Sequence, residues 1–290
     1  MLSHKEDGHN QGTTSAAVGG RASFIDVGKG DCILLQAGGS AALIDTGYEN
    51  TSERVLSCLR SGGVERLEFV IITHYDRDHI GGVRAIGAAL EVGMVYLPAY
   101  EGADKRYRSL MSAIADRGLA TRRVAETLSL KLGDALLTVY PSGVEYIPDA
   151  KGDEGNDNDL SLVTSLTCGG GTFLFAGDLE EDGIEDYLRA GRGRFDVLKV
   201  PCHGKKCPCT DELFDEVRPE IAVITDSPDD PADKKTLKLL AEVGANVYRT
   251  SMDGTIVVES DGAGGYAVSC HGGLGSGLGN GSETARYNQK

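Results

Sequence analysis

Thr73-His74-Tyr75-Asp76-Arg77-Asp78-His79-Ile80-Gly81-Gly82 packs two histidines and two aspartates into six residues and closes on paired glycines. It follows Leu67-Glu68-Phe69-Val70-Ile71-Ile72, an apolar and β-branched run that reads as a buried strand delivering those side chains onto a loop at a sheet's edge. Gly81-Gly82 permits close backbone approach as a helix begins. In His74-x-Asp76-x-Asp78-His79, alternate residues of an extended segment point one way, while Asp78 and His79 turn toward a second point as the chain bends. Two metal ions sharing one loop is the natural reading, and a surface charge cluster the bland one. The spacing after a buried strand and before Gly-Gly favours the metals.

Composition narrows the field. A chain of 290 residues with 40% hydrophobic content has ample apolar material for a packed core, read here as one domain. The formal charge of −15 argues against a broad nucleic-acid-binding face, although a local metal site can override that repulsion. No stretch approaches the roughly 18 to 20 apolar residues of a membrane span, and Met1 to Gly20 lacks the apolar core of a signal peptide. Seven cysteines, an odd and scattered set, do not read as a disulfide framework, so the cytoplasm is the default expectation.

Residues 1–20 and 271–290 are polar and glycine-rich and read as flexible tails around a domain spanning 21–270. Within it, Ala22 to Asp26, Cys32 to Gln36 and Ala41 to Asp45 form an expected antiparallel meander, followed by a helix over Glu53 to Arg60. After the histidine motif come helices near Val83 to Glu91 and Lys105 to Arg117, with a strand near Met94 to Leu97 between them. The second half repeats the theme, with strands at Ala135 to Tyr140, Leu160 to Thr167, Thr172 to Ala176 and Val197 to Val200, and a helix over Glu180 to Ala190. Helix and strand then alternate to Ser269. Two sheet-rich halves with helices outside predict an α/β four-layer αββα sandwich.

Further blocks carry the reading beyond one loop. Phe24-Ile25-Asp26-Val27-Gly28-Lys29-Gly30-Asp31-Cys32, Leu43-Ile44-Asp45-Thr46-Gly47, Asn158-Asp159-Leu160-Ser161-Leu162-Val163, Phe175-Ala176-Gly177-Asp178 and Leu198-Lys199-Val200-Pro201-Cys202-His203-Gly204 occur in that order. Together with the histidine motif they resemble the metallo-β-lactamase superfamily, and within it the hydrolase domain of ComEC/Rec2-type DNA-uptake proteins, over roughly residues 22–260. The resemblance implies His74 and Asp76 on one metal, Asp78, His79 and His203 on the other, and Asp178 bridging, with Asp78 and Asp178 catalytic. Taken alone, Asp178 and His203 read as loop residues or helix caps; the family order makes them ligands.

Around this set, Asp45 is expected to accept a hydrogen bond from a ligand histidine, or else to form an Asx turn. Asp26 and Asp31 flank the Gly28-Lys29-Gly30 turn that would border the substrate, although turn chemistry alone would explain one of them. The chain also departs from the family. No histidine lies between His79 and His203, so the first metal has only His74, Asp76 and Asp178, with Asn158 or Asp157 nearby. Such an oxygen-rich site is less zinc-specific and admits manganese as the second choice, while the imidazoles keep zinc the first. Cys202-His203-Gly204-Lys205 stands where relatives show His-His-Gly-Ser, which leaves substrate contacts open. Lys205 reads either as an anion ligand or as an exposed loop lysine, and Cys202, Cys207 and Cys209 as free thiols in preference to a further metal site or a disulfide.

Two divalent ions about 3.5 to 4 Å apart lower the pKa of a trapped water, orient the hydroxide for in-line attack and neutralise the departing oxyanion. The leading expectation is therefore a dinuclear phosphodiesterase or nuclease using a metal-bound hydroxide, acting on a phosphoester small molecule or single-stranded nucleic acid. Alternatives are a phosphorylcholine-esterase-like or other small-ester hydrolase, and a degenerate, non-catalytic metal-binding domain.

Overall fold

A computed structural model describes residues 19–148, 155–273 and 285–287. The first half contains β1 (Gly20–Phe24), β2 (Ile33–Ala37), β3 (Ser40–Ile44), α1 (Ser52–Ser61), β4 (Arg66–Leu67), β5 (Phe69–Ile71), α2 (Arg77–Ile80), α3 (Val83–Ala89), β6 (Glu91–Val92), β7 (Val95–Pro98), α4 (Lys105–Arg117) and β8 (Thr121–Val124). The second contains β9 (Leu128–Leu132), β10 (Ala135–Tyr140), β11 (Val163–Cys168), β12 (Gly171–Phe175), α5 (Glu181–Arg189), β13 (Val197–Lys199), α6 (Thr210–Val217), β14 (Ile221–Ile224), α7 (Lys234–Glu242) and β15 (Asn246–Arg249). The chain then adds α8 (Thr250–Asp253), β16 (Gly254–Ser260), β17 (Tyr266–Gly272) and β18 (Ala285–Tyr287).

Each half begins antiparallel and turns parallel. In the first, β1, β2 and β3 form the expected meander, and the Gly38-Gly39 link between β2 and β3 has φ of 54° and 79°, the positive values a two-residue hairpin favours. β3, β5, β7 and β8 then run parallel. In the second, β9, β10, β11 and β12 are antiparallel, and β12, β13, β14 and β15 parallel. β16 returns to pair with β1, so the first sheet has nine strands in the order β18-β17-β16-β1-β2-β3-β5-β7-β8 and the second seven, β15-β14-β13-β12-β11-β10-β9.

Three apolar clusters separate four layers. Phe24, Ile33 and Leu35 of the first sheet meet Leu137, Leu166, Phe173 and Phe175 of the second, with the Phe24 and Phe175 rings 6.1 Å apart. The opposite face of the first sheet is covered by α1, α3 and α4, through Val55, Leu59, Ile86, Leu110 and Ile114. The outer face of the second takes α5, α6 and α7 through Ile184, Tyr187, Phe214 and Leu240. This is the αββα sandwich expected from the alternation of elements.

Several elements differ from the sequence reading, among them the short pair β4–β6, which takes Leu67 out of the expected strand and Glu91 out of the expected helix. Thr121–Val124 and Leu128–Leu132 are strands at opposite sheet edges, and their exposed Arg122, Ser129 and Lys131 obscure the apolar pattern that marks an inner strand. Ala285–Tyr287, placed by composition in the C-terminal tail, pairs with β17, because backbone hydrogen bonding along an open sheet edge needs no apolar sequence. Gly20 opens β1 and His271 and Gly272 close β17, so the expected tails begin further out than composition suggested; 1–18, 274–284 and 288–290 lie outside the described residues.

Candidate metal centre

The candidate residues gather at the carboxyl ends of the parallel strands, where an open α/β sheet presents its crevice. β3 leads to Asp45, β5 to the histidine motif, β12 to Asp178 and β13 to His203. Both sheets therefore contribute. Backbone bonds tie the loops together: Asp31 N–H donates to Asp78 O at 3.1 Å, Thr46 N–H to His79 O at 2.7 Å, and Gly47 N–H to Asp31 O at 2.8 Å. Gly30 is required by this packing, because a Cβ there would stand 2.8 Å from the backbone oxygen of Asp78.

His74 lies in a bend and Asp76 at the N-terminal boundary of α2, a single turn that carries Asp78 and His79 and brings the His79 ring to 4.1 Å from that of His74. His74, His79 and Asp178 form one set whose ligand atoms lie within 4.8 Å of one another, and Asp78, His79 and His203 form a second. His79 thus belongs to both sets, whereas the family pattern assigns it to one. His203 Nε2 stands 2.9 Å from Asp178 Oδ2 and 3.5 Å from Asp78 Oδ2; His79 Nε2 is 3.6 Å from Asp178 Oδ2.

All three Nε2 atoms, of His74, His79 and His203, are buried without a hydrogen-bond partner. Their Nδ1 atoms are engaged. Asp45 Oδ2 lies 2.8 Å from His79 Nδ1, and the Thr225 carbonyl 3.0 Å from His203 Nδ1, so each Nδ1 carries a proton and each ring turns its Nε2 toward the carboxylates. Thr73 Oγ1 donates to Asp45 Oδ2 at 2.7 Å, which leaves its own lone pairs facing His74 Nδ1 at 3.0 Å. Three such rings beside two carboxylates are a fitting donor set for divalent cations, with the imidazoles favouring zinc.

In the metal-free chain the same carboxylates draw protons onto these rings, and a bound cation would displace them. Burial opposes charge on His203, but Asp178 and Asp78 outweigh it and push the ring up to about 9. Burial likewise opposes the Asp78 carboxylate, and contact with His203 and His79 brings it down to about 2. Asp178, fully enclosed, is held well below the usual carboxylate range by His203, Lys199 and His79 against its burial.

Asp45 sits with φ of 55° and also accepts from Thr73 N–H at 2.8 Å, so it joins β3 to the motif as well as fixing His79. Asp31 accepts from Thr225 Oγ1 at 2.6 Å and pairs with Lys199 Nζ at 2.6 Å. Asp76 Oδ2 lies 3.8 Å from His74 Nε2, while its Oδ1 is held by Arg106 at 2.8 Å. Asn158 donates to Glu180 at 3.0 Å, and its Oδ1 is buried without a partner. Cys202 donates its thiol to Asp178 O at 3.1 Å, supporting the loop that carries that carboxylate. All seven cysteines are free.

Two expected residues are not brought to the imidazoles. Asp26 accepts from Gly28 N–H at 3.1 Å and pairs with Arg54 at 3.0 Å, so turn chemistry accounts for it. Lys205 is paired with Asp230, which also receives Lys29 at 2.8 Å, and donates to Pro231 O at 2.9 Å.

Sequence reasoning missed Lys199, Thr225, Ser161 and Arg106. Lys199 is completely buried, reaching Gly177 O at 2.9 Å and Asp178 Oδ1 at 3.2 Å. Ser161 Oγ accepts from Asp178 N–H at 3.1 Å and lies 3.4 Å from His74 Nδ1. A signal existed for Lys199, a lone cation in the apolar run Val197-Leu198-Lys199-Val200 that must be paired if the strand is buried. Arg106 had none.

The profile of the metallo-beta-lactamase superfamily matches residues 25–225, a span containing every one of these candidate ligands. The chain belongs to that superfamily. Members of that superfamily are mostly metal-dependent hydrolases. It is similar to ComE operon protein 3 of Bacillus subtilis, at 28% identity over 82% of this chain and 32% of that protein. Competence protein ComA of Neisseria gonorrhoeae is 27% identical over 68% of this chain and 26% of its own length. The chain therefore spans a third or less of these relatives. Among solved structures, the metallo-β-lactamase fold protein YhfI of Bacillus subtilis superposes with a TM-score of 0.57 at 15% identity, over 84% of this chain and 100% of that one. Zn(2+)-bound PqqB of Methylobacterium extorquens gives 0.53 at 13%, over 76% and 85%. At such identities the structures support the fold alone. Among the described residues, no helix is long and apolar enough to cross a membrane.

Proposed function

We propose that the chain hydrolyses phosphodiesters with two divalent cations, zinc first and manganese second. The observation that carries this reading is the convergence of three partnerless, buried Nε2 atoms with the carboxylates of Asp78 and Asp178. Two such cations, when bound, supply an activated water and neutralise the departing oxyanion. His74, Asp76 and Asp178 would hold one, and Asp78, His79 and His203 the other, with the Asp178 carboxylate able to serve both. Asp45 and Thr225 keep His79 and His203 in the tautomer that exposes Nε2, and Lys199 fixes the orientation of Asp178.

A phosphodiester brings its own negative charge to such a centre, which answers the net charge of −15. The likeness to competence proteins supports a nucleic-acid substrate, single-stranded DNA being the form to test first. One observation favours a second reading, a domain holding a single cation without turnover: Arg106 already neutralises Asp76, which makes the first position lean.

Metal analysis paired with turnover of bis-p-nitrophenyl phosphate separates the two. Two metals per chain, and turnover under zinc or manganese that Asp78→Ala abolishes, are expected. No more than one metal and no turnover with either ion would sink the enzymatic proposal in favour of the second reading.

A further inference from the structure

The single turn of α2 has two faces in use. Asp78 and His79 face the candidate centre, while Arg77 and Ile80 line a separate cavity of about 620 Å³ between this turn, the loop after β3 and the start of α4. Four cations border that cavity, Arg77, Arg84, Lys105 and Arg106, against one carboxylate, Glu49. In a chain of net charge −15 such a concentration of positive charge runs against the composition. Arg84 is paired with Asp116, and Arg106 with Asp76 and Asp104. Arg77 and Lys105 are exposed, and neither carries an ion pair or side-chain hydrogen bond among the described residues.

The cavity adjoins the centre through two of its walls. Arg106 grips Asp76, and Tyr48 lies in the field of Asp78; burial first, and that carboxylate next, push its phenol up. Ile80, Leu110 and Ala113 add an apolar wall, so the cavity offers a face for a nucleobase beneath cations for phosphate. A larger hollow of about 750 Å³, along β1 and β17, lacks this character, since Arg21 there is matched by Glu259 and Asp261.

We propose that this cavity is a second, non-catalytic anion site that holds the sugar–phosphate backbone of a single-stranded nucleic acid alongside the metal centre, with Arg77 and Lys105 binding its phosphates. The choice of anion rests on the phosphodiester reading above. A small diester fills only the centre; a strand would engage both, and the cavity would then distinguish polymeric from small substrates.

The test is fluorescence anisotropy of a labelled, short single-stranded phosphorothioate oligothymidylate on the metal-loaded full chain. Lys105→Glu and the double variant Arg77→Ala/Lys105→Ala should weaken binding about tenfold. The slope of log affinity against log salt should also shrink, by about 0.7 for each phosphate left without its cation. Lys234→Glu/Lys235→Glu, a charge change on α7 twice as large, should stay within about twofold of the parent. The inference is overturned if the parent does not bind, if the cavity variants bind like the parent, or if the α7 variant weakens binding as much. Bis-p-nitrophenyl phosphate turnover of the parent reports separately on the centre, so a failed phosphodiesterase and a failed cavity give different results.

Discussion

At the scale of single residues, the centre depends on side chains that hold the candidate ligands. Asp45 is completely buried and accepts three hydrogen bonds, from Thr73 N–H, Thr73 Oγ1 and His79 Nδ1. Asp45→Ala should lower metal affinity about 10- to 100-fold, as loss of a carboxylate behind a ligating imidazole commonly does. Competition with a chromophoric chelator measures this, and an unchanged affinity would mean that Thr73 alone orients the rings. The residue was legible in the sequence because Leu43-Ile44-Asp45-Thr46-Gly47 places a carboxylate directly after a buried strand. Arg106 was not legible, because an arginine one position into a helix reads as solvated, and only tertiary structure shows it closing on Asp76. Lys199 was half legible. Its burial could be foreseen, but its partners Asp31 and Asp178 lie far away in sequence.

At the scale of elements, α4 shows how a distant helix reaches the site. Asp104 caps it by accepting from Tyr107 N–H at 2.8 Å and also grips Arg106, which in turn holds Asp76. Asp104→Ala should therefore cost about 1 kcal/mol of stability through removal of the cap. It should also change occupancy of the metal position built on His74 and Asp76 while sparing the other. Urea unfolding and metal titration give the two readouts; equal loss at both positions would contradict the path through Arg106. Inner strands and amphipathic helices were readable because their apolar periodicity is set by burial on one face or two. The edge strands β8 and β9 were not, since edges tolerate charge and their pairing is decided by neighbours distant in sequence.

At the scale of the whole molecule, two sheets bring acidic and basic groups into one buried cluster, and that sets a pH dependence for the metal-depleted protein. His203 moves from 6.5 up to about 9, so the folded form holds this proton more tightly than the unfolded chain. Its contribution is complete below pH 6.5 and is lost as pH rises through about 9. Asp78 moves from 3.8 down to about 2, so its contribution is present above pH 3.8 and lost as pH falls through about 2. The thermal midpoint of protein kept in chelator should thus fall between pH 6.5 and 9, followed by circular dichroism; a midpoint that holds level or climbs over that interval would contradict the assignment. Lys199 extends this picture. With its ammonium lodged between Asp31 and Asp178 and closed off from solvent, Lys199 is an internal counter-ion to both carboxylates. A domain built this way carries part of the charge balance of its carboxylate cluster within the fold itself, whether or not a cation is bound.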